Sequence, residues 1–249
     1  MSLESVLTAW TALDESALAR PWTFQGGTLD VRNALYWTLA EAQDAVVRAT
    51  AGSHPESRRI LALAQRAFGD LRGGLVGLPD DLLDKAPAAG EWSVRDVLAH
   101  VVNVEQRYAI QTAYAVERTD ADPIRIAADR LPPLAPGDVS GDAGTLLARV
   151  AAERAATDRR LGALPPAAMT RPTVWVHFNV DVRFRLHRFA AHIAEHTIQC
   201  DKTLAALGWR QTEARRIVRQ IWTLVGELEG LGAGAELSAL AAGAEERAG

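Results

Sequence analysis

F-A-A-H-I-A-E-H-T-I-Q-C, residues 189–200, carries two histidines four positions apart. On an α-helix that spacing sets His192 and His196 about 40° apart around the axis and about 6 Å apart along it, so their imidazoles can converge on one point. At about 100° per residue, Phe189, Ile193, His196, Cys200, Leu204 and Leu207 form an apolar stripe with His192 at its edge, so both rings are expected to face a core. A buried polar group left without a partner costs about 1–3 kcal/mol. A divalent metal would satisfy both rings, and hydrogen bonds to carbonyls or carboxylates would also serve; a third ligand shifts the balance toward the metal.

E-W-S-V-R-D-V-L-A-H-V, residues 91–101, supplies that third histidine. Ser93 and Asp96 have capping-box spacing, so a helix is expected from Ser93 to about Glu117. Its apolar face includes Val94, Val97, Leu98, Val101, Val104 and Tyr108, with His100 beside Val97 and Val104. The helix carrying His192 and His196 is expected over residues 182–207, ending at Gly208. Two more complete a set of four: residues 54–77, with Ser53 and Glu56 as a second capping box, and residues 143–163.

Around that set, residues 3–19 and 29–50 also have helical periodicity and flank R-P-W-T-F-Q-G-G, so they read as an antiparallel helical hairpin. Residues 119–143 hold four prolines with many Asp and Gly, a long loop of the kind that serves as lid or partner contact. Thr173–Val182 is β-branched and aromatic, a short extended piece capping the bundle. A further helix is expected over 211–230, followed by an Ala/Gly/Glu-rich tail that is either a frayed helix or disordered. The run from Val31 echoes the run from Val94, but four identities in thirteen between amphipathic helices do not establish a duplication. The fold class is therefore all-α, a four-helix bundle with additional N- and C-terminal helices, divided as 1–52 extension, 53–208 bundle and 209–249 helix plus tail.

The 249 residues, 48% apolar, can build a substantial core. A net charge of −4 with interspersed signs gives no electrostatic footprint for nucleic acid. No run approaches a membrane span, and M-S-L-E-S lacks a secretory pattern, so a soluble cytoplasmic protein with no membrane association is expected. The single cysteine, Cys200, cannot form an internal disulfide; it reads as a small buried hydrophobe, with a fourth-ligand role as the alternative.

The order E-W-S-V-R-D-V-L-A-H-V, a long gap, then H-I-A-E-H-T-I-Q resembles the DinB-like superfamily of metal-binding four-helix bundles, which includes bacillithiol- and mycothiol-dependent S-transferases and a mycothiol-dependent maleylpyruvate isomerase. The resemblance spans about residues 54–208. It implies His100, His192 and His196 as ligands of zinc or nickel, a small-molecule substrate, a homodimer, and a metal that activates a thiol such as bacillithiol or mycothiol, or water. It implies no nucleic-acid binding. Three neutral nitrogens with open positions suit a catalytic site. Asp96, one turn before His100, and Glu195, one turn from His192, are second-shell candidates, although Asp96 already serves a cap and Glu195 can point to solvent. His187, His54 and His177 rank lower; Tyr108 and Trp175 are candidate pocket walls. The competing function is an interaction protein whose metal site is structural or vestigial.

Overall fold

The computed structural model describes residues 2–134 and 139–248. The core is α4 (Glu56–Leu75), α6 (Val94–Glu117), α7 (Ala143–Leu161) and α9 (Val182–Ala206), the four helices of the expected bundle, with a one-turn α5 (Asp80–Leu83) after α4. Phe68, Leu71, Val97, Val101, Leu146, Val150, Ile193 and Leu204 fill one end, and Ile60, Leu61, Ala113, Leu161, Leu186 and Phe189 the other. The Ser93–Asp96 capping box forms in full. The Ser53–Glu56 box does not. Pro55 disfavours helical geometry at His54, so α4 starts only at Glu56 and Ser53 lies too early to cap it. The 119–143 segment is a loop with one 3-10 turn at Ala128–Arg130; its residues 135–138 lie outside the described residues.

The N-terminal segment is not a helical hairpin. It runs α1 (Leu3–Thr11), α2 (Glu15–Leu18), a β-hairpin β1 (Pro21–Phe24) and β2 (Gly27–Asp30), then α3 (Val31–Thr50). The extended piece before α9 is likewise a hairpin, β3 (Pro172–Trp175) and β4 (Phe178–Asp181), preceded by α8 (Pro166–Met169). The tail is ordered: after α10 (Glu213–Leu231) and a left-handed Gly232, α11 (Gly234–Ala248) buries Leu240, Ala244 and Arg247.

These additions repeat part of the bundle. Glu15 and Pro166, Pro21 and Pro172, Gly27 and Phe178, Val31 and Val182 open matching elements, a shift of 151 throughout. Pro21 pairs with Asp30 in one hairpin and Pro172 with Asp181 in the other. Each hairpin turns through a non-glycine residue at positive φ, Gln25 and Val176. Each following helix is capped by the hairpin's last aspartate, Asp30 on the Asn33 amide and Asp181 on the Phe184 amide. The repeat of Val31 thus falls at Val182 instead of Val94. Helices α1, α3, α10 and α11 share their own core, built on Leu7, Trp10, Leu35, Ile221, Trp222 and Leu240. Four of their pairings, α1–α11, α1–α10, α3–α10 and α3–α11, match α7–α6, α7–α4, α9–α4 and α9–α6.

The two halves meet where α4 crosses α10. Gly69 and Gly73 on α4 face α10, and Gly226 and Gly230 on α10 face α4. A Cβ on Gly73 would stand 2.7 Å from Arg219 Cα, and one on Gly230 would stand 2.6 Å from Ala62 Cα. Only glycine permits that approach.

One polar cluster is built on a fully enclosed arginine. Arg154, 0% exposed, donates to Glu105 and Asp158 at 2.7 Å each and to the Gln65 side-chain oxygen at 3.2 Å, while Thr157 donates to Glu105 at 2.7 Å. It ties α4, α6 and α7 together. Glu105→Leu strips the guanidinium of a buried counter-charge and is expected to cost about 3–5 kcal/mol, read from urea unfolding. A loss below about 1 kcal/mol would show that Asp158 alone compensates Arg154.

Candidate metal centre

His100 lies on α6, and His192 and His196 lie one turn apart on α9. The packing of α6 against α9 brings the three together. His192 Nε2 is 3.3 Å from His100 Nε2 and 3.0 Å from His196 Nε2. One nitrogen from each ring falls within a 4.8 Å group. In a tetrahedral zinc site with bonds near 2.05 Å, neighbouring ligand nitrogens are about 3.3 Å apart. The two spacings from His192 fit such an ion. His192, placed by periodicity at the stripe's edge, is the most buried of the three, 7% exposed, while His100 and His196 are half-buried.

The rings are poised to be neutral. Burial depresses all three below the ordinary histidine range, and His192, pushed further by His196, His100 and Arg188, falls to about 3. His196 Nδ1 lies 2.9 Å from Gln199 Oε1. An amide oxygen only accepts, so Nδ1 carries the proton and Nε2 presents a lone pair. A cation at the centre would take that lone pair and one from each neighbouring ring. Trp92 covers the centre, its ring 5.0 Å from His100 and stacked at 6.3 Å on His196. Tyr108 walls the other side, 5.5 Å from His192.

The carboxylates read from sequence are engaged elsewhere. Asp96 accepts from the Ser93 hydroxyl and amide, and Glu195 takes a two-point salt bridge from Arg188. Gln199, three residues after His196, makes the orienting contact instead; the i, i+3 spacing was its only sequence signal. Cys200 is 2% exposed in the core, with burial lifting its thiol to about 12, so it stays protonated and packs as a hydrophobe. His54 bonds the Ala49 carbonyl, and His177 is exposed at the hairpin tip against Phe178.

The depressed histidines give the metal-free chain a pH dependence. Below about 6.5 the unfolded state binds protons that the folded state refuses, so stability declines as pH falls from there toward the folded values. Urea midpoints of chelated protein are expected to drop between about pH 7 and about pH 5 by more in wild type than in His192→Ala. Equal drops would show that His192 titrates normally.

Among the described residues, no helix is long and apolar enough to cross a membrane. A comparison with curated proteins returns no match. Among solved structures, the chain is similar to YfiT from Bacillus subtilis, described as a probable metal-dependent hydrolase with an unusual four-helix bundle topology. Identity is 15%, with 64% of this chain and 93% of that one covered at a TM-score of 0.49. Residues 63–200, more than half of the chain and enclosing all three histidines, match the family model of the DinB superfamily, and the chain belongs to that superfamily.

Proposed function

We propose that the protein is a divalent-metal-dependent enzyme in which His100, His192 and His196 hold zinc or nickel and a thiol cofactor or water is activated for attack on a small electrophile. The observation that carries this reading is the triad: three neutral imidazoles with Nε2 spacings of 3.0 and 3.3 Å. A cation held by three histidines leaves a position open and lowers the pKa of the thiol or water that fills it. Gln199 fixes the His196 tautomer, and burial keeps the rings deprotonated. Trp92 and Tyr108 restrict solvent around the open position.

The test begins with elemental analysis of tag-free protein by inductively coupled plasma mass spectrometry. About one zinc or nickel per chain is expected. Conjugation of a model electrophile by bacillithiol, mycothiol and glutathione is then assayed against ester hydrolysis, which separates thiolate from hydroxide chemistry. No bound metal after reconstitution with either ion would overturn the proposal. Metal bound with no activity, and a large loss of stability on chelation, would support the structural-site alternative.

A further inference from the structure

A polar seam leads away from the triad between α6 and α9. Along α9, Arg188 lies one turn and Arg185 two turns before His192; along α6, Tyr108 and Gln111 follow His100 on the facing side. Tyr108 joins the two ends, its ring 5.5 Å from His192 and 4.9 Å from the Arg185 guanidinium carbon. Trp175, from β3, donates to the Tyr108 hydroxyl at 3.3 Å and stacks under Arg188 at 4.6 Å.

Arg185 is the anomaly. It is 3% exposed, donates to the Gln111 amide oxygen, and forms no ion pair among the described residues; its Nε has no partner. The comparison with Arg154 is direct, because that equally buried arginine holds two carboxylates. Burial pulls its guanidinium down to about 10; the Tyr108 hydroxyl acts in the opposite direction, and Arg125 and Arg188 add to the depression. Arg188 also keeps a buried Nε without a partner among the described residues, although Glu195 neutralises its outer face. Beside Arg185 is a cavity of about 40 Å³, bordered by Gln111, Arg125 and the Val176 hairpin tip. That is room for a group on the scale of one or two waters. Val176, a β-branched residue at φ 53° where such a turn favours glycine, accepts from Arg125 at its carbonyl and so holds the tip over the cavity.

We propose that Arg185, with Arg188 beside it, receives an oxyanion of the substrate, so that the metal centre acts on a small molecule carrying a carboxylate or phosphate about two helical turns from its reacting group. This rests on the metal-site reading for the reaction but not for the binding. A planar fork matches either oxyanion, and a buried cation with no carboxylate partner among the described residues is complete only when an anion joins it.

Thermal unfolding of the full chain, as purified and after chelation, tests the binding with succinate, inorganic phosphate and neutral succinamide at matched ionic strength. Succinate or phosphate is expected to raise the wild-type melting temperature by a few degrees, and succinamide is not. The anion that acts distinguishes carboxylate from phosphate. Arg185→Met is expected to abolish the rise, to melt no lower than wild type without anion, and to keep its metal; Arg185→Lys, with charge but no fork, should show a smaller rise. No rise with either anion, an equal rise in Arg185→Met, or an anion-free Arg185→Met that melts below wild type would overturn the assignment. A rise lost in Arg185→Met but present in protein that never binds metal would leave the oxyanion site standing and remove only the metal reading.

Discussion

Alanine in place of His192 is expected to take the protein from about one bound divalent cation per chain to none after gel filtration, with helix content unchanged. His192 is the vertex of the triad, its Nε2 within 3.3 Å of one partner and 3.0 Å of the other, so removing it leaves two half-buried rings on separate helices. If a structural zinc contributes about 10–16 kcal/mol over four ligands, one ligand carries roughly 3 kcal/mol, or a hundredfold or more in affinity. His100→Ala and His196→Ala should lose comparable affinity. Gln199→Leu removes only the group that sets the His196 tautomer and should weaken binding about 10- to 100-fold. Cys200→Ser and Glu195→Gln should leave metal content alone, because one side chain is packed in the core and the other is paired with Arg188. Undiminished metal in His192→Ala would end the triad assignment.

That site was legible because its signals are local. The i, i+4 pair fixes two ligands on one helix, and the Ser93–Asp96 cap fixes the phase of the helix bearing the third. What was missed depends on contacts distant in sequence. Arg185 stands seven residues before His192 and eleven before His196, about 20° from each around the helix, so its phase places it on the buried stripe; nothing local says that Gln111 and Tyr108 of α6 and Trp175 of β3 are what enclose it and Arg188. The α11 tail has little apolar side chain of its own. It is ordered because α1 and α3 offer a surface for Leu240, and because Arg247 reaches Thr38 at 2.8 Å and pairs with Glu41.

The repeat was also present in the sequence, in a register that helical periodicity obscured. Arg20-Pro21 and Arg171-Pro172, then Asp30-Val31-Arg32 and Asp181-Val182-Arg183, bracket the two hairpins. Reading R-P-W-T-F-Q-G-G as a plain turn hid the strand alternation on either side of Gln25-Gly26. At the repeat of the metal centre, Glu41 stands where His192 does and Ala45 where His196 does, so the second half holds the Glu41–Arg247 ion pair where the first holds its histidines. One half keeps the ligands, and the other supplies a packing partner.

The joint between the halves is where a single methyl group should do the most damage. Gly226→Ala places a Cβ inside the contact radius of the Gln65 carbonyl oxygen and 3.1 Å from Gly69 Cα; Gly69→Ala meets the Trp222 carbonyl in the same way. These are backbone atoms of packed helices, so no rotamer change relieves the overlap and α10 must move away from α4. Overpacking costs about 1–3 kcal/mol where side chains can adjust. Here they cannot, and the better helix propensity of alanine returns only about 1 kcal/mol. Each substitution is therefore expected to destabilise the chain by about 3 kcal/mol or more in urea unfolding, a large share of the 5–15 kcal/mol typical of a folded domain. Gly226→Leu should prevent folding. The double variant discriminates the cause: once one methyl has separated the helices, the second fits at reduced cost, so Gly69→Ala with Gly226→Ala should fall well short of the sum of the singles. Strict additivity, or a Gly226→Ala chain within about 0.5 kcal/mol of wild type, would show that the close crossing of α4 and α10 is not what joins the two halves.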